Sequence, residues 1–545
     1  MAPETLGAAR LTRYSFSRML LRTAFGSGWQ ARRVHFDLDE HGAGEAVYEW
    51  EIEGEVFSFV AFTQVLDESQ HTDRVIADDW EISGALVEGR PDAGRLALLR
   101  EQVPRQEQGR LDPGVLVLTR GNRSVRFFDE LVDRLANGHQ PDAERVGDAG
   151  YIMRSTAFYG NGKFGMRSFG ALPGGHPFAV PYRAQFAAAW LFRELSYDSV
   201  EHCARVRGGA TAVGFDDHWR RFFGLGNATG LGLVPYAFKH PDVLHAWASV
   251  REMALADVRA TPATPETRRR LSTWIGRARA HFATGTDDDC TPFQSPTELV
   301  PVVDAIAETF ASHEHDGDLF DRLYCWAEGQ GPETAELVVS LLVELHEGDD
   351  RLVDELLTVP APEPPDPAMS VGDLQRLVDE RFGWTRRLDL DGDEADTYWW
   401  VLTDNNEEPR RIRHDLLPAD GRALAVDIAH RIRRLDLGLG VMDPADTVAD
   451  LLGDHPELRS AVERVAKSGG RYGEPRDNAC DADFLPLQTQ RFQLAFYGMD
   501  NFKPKSTDWL RVTLFQGAPR VADLAEPDGF DDRWVLPLRP GSRHC

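Results

Sequence analysis

From Arg32 onward the apolar residues recur at every second position. Val34 and Phe36 flank His35, and two longer runs follow, Val47 to Ile52 and Val56 to Phe62. A period of two sends alternate side chains to one face, so these runs predict half-buried β-strands. Glu53-Gly54 joins the second and third runs as a two-residue hairpin turn. Asp79 to Leu86 predicts a further strand, and residues 11–25 a short helix with Met19, Leu20 and Leu21 on its buried side. Residues 30–90 therefore read as a small antiparallel sheet with one face covered by helices.

The period then lengthens to that of a helix. Helices are predicted over 93–103, 123–137, 141–158, 181–207, 215–223 and 233–258, most of them punctuated by glycine or proline. Further helices follow over 265–283, 297–312, 318–327 and 333–357. Pro360-Ala361-Pro362-Glu363-Pro364-Pro365-Asp366-Pro367 cannot continue a helix and has the composition of a linker. Beyond it, 371–383, 420–435 and 446–467 predict helix, while Thr397 to Thr403 and Trp509 to Phe515 predict strand. Phe484 to Phe496 fits either period, and no repeat recurs at a fixed interval. The expected fold is α+β and predominantly helical. It comprises a small N-terminal sheet (1–110), a large helical body (111–359), a proline-rich linker (360–370) and a smaller C-terminal α+β part (371–545).

Composition narrows the chemistry. The 545 residues suffice for two to four domains, with ordinary hydrophobic (42%) and charged (27%) fractions. A formal charge of −28 argues against nucleic acid or an anionic membrane as a partner for the general surface. The longest strongly apolar stretch, Phe186 to Phe192, is too short to cross a bilayer. Five scattered cysteines, Cys203, Cys290, Cys325, Cys480 and Cys545, show no paired spacing, so neither a disulfide framework nor a zinc ribbon is expected. Met1 to Thr5 carry an early acid and no apolar signal core. A soluble protein in a reducing cytoplasm is the expectation.

Lysine is the informative rarity, with five against 55 arginines. In such a background a lysine, or one of the eight asparagines, marks a place where arginine or aspartate will not serve, because the amine is a compact and titratable charge. Eight of these thirteen residues fall in two windows, 151–240 and 478–505, about a fifth of the chain. In the first window, two loops bracket one long amphipathic helix predicted over 181–207. One is Tyr159-Gly160-Asn161-Gly162-Lys163-Phe164-Gly165, with Arg154 and Arg167 nearby. Its glycines let backbone approach a ligand, and Lys163 would hold an anion or act as a base. It is not a phosphate-binding P-loop, since Ala157 and Phe164 stand where that motif needs Gly and Ser or Thr. The plainer alternative is a solvated connection.

The second loop, Gly224 to Gly232, contains Asn227 and a Gly-x-Gly. The segment before it, Trp219 to Phe223, reads as helix rather than as the strand a dinucleotide fold demands, so close packing against small residues is the stronger reading. On the helix between the loops, Glu194, Asp198 and His202 recur at four-residue spacing, beside Glu201. They are weak metal candidates, since such a stripe is more often a solvated or salt-bridged face. His313-Glu314-His315-Asp316 sits at a helix end, and Asp389, Asp391 and Asp393 mimic a calcium loop that Glu394 breaks. Near the C-terminus, Arg476 and Asn478 precede Asn501-Phe502-Lys503-Pro504-Lys505-Ser506, a local positive pocket or else an exposed turn. Trp399-Trp400 and Arg410 carry a weaker signal, and no Gly-x-Ser-x-Gly elbow, Ser-x-x-Lys pair or kinase set occurs.

The functional expectation is an enzyme acting on a small anionic organic substrate in a cleft formed by 151–240 and 478–520, of undetermined reaction type. Lys163, Tyr159 and His202 are the proton-transfer candidates. Asn161, Arg167, Asn227, Arg476, Asn478, Lys503, Lys505 and Ser506 are the substrate-binding candidates. The cofactor is unknown from sequence, and neither nucleic acid nor membrane is an expected partner. The alternatives are a non-catalytic ligand sensor or scaffold, and a metalloenzyme built on the Glu194–Asp198–His202 stripe.

Overall fold

The computed structural model describes residues 12–67, 70, 79–108, 112–146, 150–155, 172–230, 241–284, 296–348, 353–354, 366–389, 397–398, 401–402, 412–413, 422–467, 495–506, 509–526 and 534–538. For 106–108, 227–230, 241–242, 244–245, 296–297, 332, 397–398, 401–402, 412–413, 422–428, 467, 499–506 and 509–512 the description covers backbone alone.

The alternating runs do become strands. After helix α1 (Phe16–Gly26) come β1 (Gln30–Leu38), β2 (Gly44–Ile52), β3 (Glu55–Thr63) and β4 (Ile82–Glu88). Ile52 pairs with Glu55 across a turn whose two residues, Glu53 and Gly54, both take positive φ (54° and 89°). That is the backbone a two-residue hairpin needs to match the strand twist. Helix α2 (Ala93–Gln102) leads to β5 (Val115–Arg123) and α3 (Phe128–Ala136). A single turn, α4 (Ala143–Val146), precedes β6 (Tyr151–Ser155). The long α5 (Arg183–Gly208) and short α6 (Asp217–Phe222) then carry the chain to β7 (Gly224–Gly230).

The body continues through α7 (Pro241–Ala260), α8 (Pro265–Ala283), α9 (Pro296–His313), α10 (Leu319–Gln330) and α11 (Pro332–Val343). A second set follows: α12 (Val371–Phe382), α13 (Trp384–Arg387), two-residue strands β8 (Thr397–Tyr398), β9 (Val401–Leu402), β10 (Ile412–Arg413) and β11 (Arg422–Ala423), then α14 (Leu424–Leu439), α15 (Val448–Asp454) and α16 (Arg459–Lys467). The hairpin β12 (Met499–Ser506) and β13 (Trp509–Leu514) closes the order. Residues 371–465 gather their own core around Leu374, Phe382, Ile432 and Val462, whereas Phe496, Leu514, Phe515 and Trp534 join the main one. The protein is thus α+β and mainly helical.

Among the described residues the main sheet has nine strands in the order β1-β2-β3-β4-β5-β6-β7-β13-β12. Every neighbouring pair is antiparallel except β6 and β7, which run parallel. The sheet curls, and α5 lies inside the curl. Trp190 of α5 stacks on Trp50 of β2 at 4.8 Å, while its Nε1 donates to the Pro519 carbonyl just past β13 (3.0 Å). Asp198 accepts from Tyr48 of β2 (2.6 Å) and pairs with Arg33 of β1 (3.0 Å). Enclosure on every side explains why α5 is buried almost continuously from Arg183 to Tyr197. The other sheet face carries a smaller core, where Val60, Ala85, Val87 and Leu118 meet Leu99 of α2.

Three expectations need correction. The predicted helix 141–158 is one helical turn followed by β6, and the unassigned stretch 115–122, with Arg123 from the start of a predicted helix, is β5. Short apolar runs such as Leu116-Val117-Leu118 and Tyr151-Ile152-Met153 suit either period, and pairing with the neighbouring strand decides between them. The glycine-rich loop 224–232 is, through Gly230, strand β7. Its glycines answer to close packing: a Cβ on Gly226 would stand 2.6 Å from the Tyr151 ring, and one on Gly224 would stand 2.2 Å from the Leu514 carbonyl. Finally, α5 is not amphipathic over its first half: it is buried around its whole circumference from Arg183 to Tyr197 and turns one face outward only beyond that residue.

Candidate functional site

The single parallel pairing of the sheet gives one of its ends a special character. Tyr151 of β6 faces Gly224 of β7, and Arg154 faces Gly226. Both strands therefore run out at the same end, at Ser155 and Gly230. The chain between them crosses over through α5, as a parallel connection requires. β13 begins at that same end, where Trp509 pairs with both Gly230 and Ser506. Along the strands, Val512 stands between Asn227 and Phe502, and Arg511 between Ala228 and Lys503. The backbones of the two windows rich in lysine and asparagine thus lie two strands apart in one sheet, with β13 hydrogen-bonded to both.

The sequence-predicted residues distribute as follows. Tyr159, Asn161, Lys163 and Arg167 belong to the segment that leaves β6 and lie outside the described residues, as do Arg476 and Asn478. Asn227 sits in β7, and Lys503, Lys505 and Ser506 sit in β12, all described by backbone alone. β6 has five residues, whereas its neighbours β5 and β7 have nine and seven. At its end the Ser155 and Thr119 hydroxyls meet at 2.7 Å, both buried.

Three polar residues that the sequence reading did not place, or named only in passing, line the adjoining face. Asn122 pairs with Arg154 across β5 and β6, and Arg120 lies two residues along β5, so all three share a face. Gly121 between them abuts Phe192 of α5, which places the trio on the side away from that helix. All are buried. Asn122 is fixed by the Glu81 amide (2.8 Å) and the Asp79 carbonyl (3.2 Å), and the Arg120 guanidinium lies over the Trp80 ring at 5.8 Å. Arginine is too common in this chain for composition to single out Arg120.

The helical stripe has structural work instead. Glu194 receives both its carboxylate oxygens' bonds from Arg520 Nε (2.8 and 3.0 Å). Asp198 is held by Tyr48 and Arg33, and burial, followed by the Asp198 charge, pushes the Tyr48 phenol well up, keeping it a donor. Glu201 accepts from the Phe215 amide (3.2 Å), and His202 Nε2 donates to the Asp39 carbonyl (3.0 Å). Each group is turned to a different partner. Among the described residues, no three His, Cys, Asp or Glu side chains converge in a manner that would hold a metal ion. No described helix is long and apolar enough to cross a membrane.

A scan of protein-family models, a search of curated proteins and a search of solved structures each returned no match to this chain.

Proposed function

We propose that the protein is an enzyme acting on a small organic anion, bearing a carboxylate or phosphate, held beyond the carboxyl ends of β6 and β7. The observation that carries this reading is the parallel pairing of those two strands within an otherwise antiparallel sheet. Outside the carboxyl ends of parallel strands, at the point where connectivity changes, diverging chain leaves a crevice that ligands use. The segment bearing Tyr159, Asn161, Lys163 and Arg167 leaves from one of these ends. Asn227 lies in the other strand, and Lys503, Lys505 and Ser506 lie in the hairpin added beside it.

In this reading Lys503, Lys505, Arg167 and Arg476 attract the anion, and Asn161, Asn227, Asn478 and Ser506 orient it. Lys163 and Tyr159 move the proton. His202 drops out, since its Nε2 already serves Asp39.

The test is a thermal-shift panel of carboxylated and phosphorylated metabolites on the wild-type protein and on Lys163→Ala and Lys505→Ala. A ligand present at about 100 times its Kd should stabilise the wild type by about 2.7 kcal/mol, with the shift largely lost in both variants. Product analysis on the same ligand then separates an enzyme from a passive binder. Equal shifts in all three proteins would overturn the assignment.

A further inference from the structure

A cleft of about 660 Å³ opens between α6, α8 and the segment that follows β13. α6 leads into the start of β7, so the cleft lies at the opposite end of that strand from Gly230. One wall is a single face of α8, where Ser272, Thr273, Gly276 and Arg277 recur at helical spacing. The facing wall is His218, Arg221 and Phe222 of α6. Pro537 and Leu538 complete the apolar part of the lining.

Both arginines are anchored before any ligand arrives. Arg221 Nε donates to Asp523 at 3.0 Å, and its own carbonyl accepts from the Gly517 amide at 2.8 Å. Arg277 donates to the Val535 carbonyl at 3.2 Å. The lining thus holds two guanidinium groups and an imidazole beside Asp217, which itself faces Arg220 at 3.9 Å, while Asp523 answers Arg221. The planar guanidinium fork suits carboxylate and phosphate oxygens, and positioned hydroxyls add donors. Beside these groups, Phe222 and Leu538 suit an apolar body, and the volume falls within the range of small-molecule sites, about 300–1,000 Å³.

We propose that this cleft is a second binding site, for an organic anion that joins a carboxylate or phosphate to an apolar body the size of an aryl ring. The inference does not rest on the site at the sheet end. Gly276 provides the decisive variant, because a Cβ there meets no atom within 4 Å, so a large side chain would enter the cleft without displacing the helix.

The experiment is calorimetric titration of the full chain with phenyl phosphate, benzoate and inorganic phosphate. Phenyl phosphate or benzoate should bind saturably, and about tenfold more tightly than inorganic phosphate, a gap of about 1.4 kcal/mol. Gly276→Trp should weaken that binding at least tenfold by filling the space, and Arg277→Met should weaken it while leaving the space open. Lys163→Ala should leave it unchanged, which keeps this site distinct from the other. No saturable binding of either aryl anion, or wild-type affinity in both cleft variants, would overturn the proposal.

Discussion

Replacing Arg520 by methionine should cost the fold about 3–4 kcal/mol, and the structure shows where that figure comes from. Glu194 lies inside the curl of the sheet with only 4% of its side chain exposed, and Arg520 Nε donates to both of its oxygens. Removing one member of a buried pair leaves an uncompensated charge, worth about 3–5 kcal/mol. Arg193 remains 3.5 Å from the stranded carboxylate, which favours the low end. The variant also gives up the Arg520 guanidinium over the Tyr197 ring at 4.1 Å, about 1 kcal/mol more. A Glu194→Leu/Arg520→Met double variant removes both charges and should recover most of the loss. Urea denaturation measures both. Hydrogen exchange should report the opening locally first, at Gly517, whose amide bonds the Arg221 carbonyl, and at Asp523, whose amide bonds the Arg520 carbonyl. If Arg520→Met stays within about 0.5 kcal/mol of wild type, or the double variant is no more stable than the single, the pair is not what holds this segment to α5.

Gly226→Val should destabilise by about 1–3 kcal/mol, because its side chain must displace the Tyr151 ring from 2.6 Å. Tyr151→Ala in the same chain should restore part of the loss, and the absence of any rescue would argue against that contact. Asp436→Asn probes the second core. The Arg386 guanidinium, bonded at 2.6 and 2.7 Å, holds the Asp436 carboxyl below its usual 3.8, and Gln375 assists. A carboxyl depressed on folding stabilises above its unfolded value, and that contribution fades as pH falls through the folded one. The variant should therefore be weaker than wild type near neutrality, with the gap closing below 3.8. Denaturation followed through Trp384, which lies in that core, reads the difference, and a gap independent of pH would refute the assignment.

Local signals carried the reading wherever local chemistry decides the structure. Helix α8 starts and stops at the predicted residues, since Thr264 and Thr267 form a capping box and Pro265 occupies the first turn. The Glu53-Gly54 turn was legible because few residue pairs accept two positive φ angles in succession. What escaped was everything set by distant pairing. No periodicity in 224–230 announces that 509–514 will lie beside it, and glycine in a strand looks like a loop until the Tyr151 ring and Leu514 carbonyl are in place. The spacing of the Glu194–Asp198–His202 stripe fits a metal site or a solvated or salt-bridged face equally, and only the fold supplies Tyr48, Arg33 and Arg520 to meet Glu194 and Asp198. For the site, the scarce residues were visible in composition, but the pairing of β6 with β7, and of β7 through β13 with β12, was not.

The division of labour between the two basic residue types follows from the same geometry. Although acids exceed bases by 28 over the whole chain, the described interior holds seven arginines (13, 18, 120, 154, 183, 193 and 251) against five glutamates (49, 81, 194, 336 and 344). Burying a cation is tolerable only when its hydrogens are met, and a guanidinium offers a rigid fork of five. Arg193 uses it to reach four carbonyls, those of Arg221, Phe223, Ala518 and Pro519, in two separate segments. A lysine could offer at most three donors from one point and would shed its proton more readily under the same burial. Arginine is therefore the cation this architecture uses to tie irregular backbone to α5, and that task accounts for its presence without any ligand. The same argument does not account for lysine, whose compact, titratable amine is poorly suited to such bracing. Its retention after β6 and in β12, in a chain that otherwise writes arginine, is what ties the proposed chemistry to that end of the sheet.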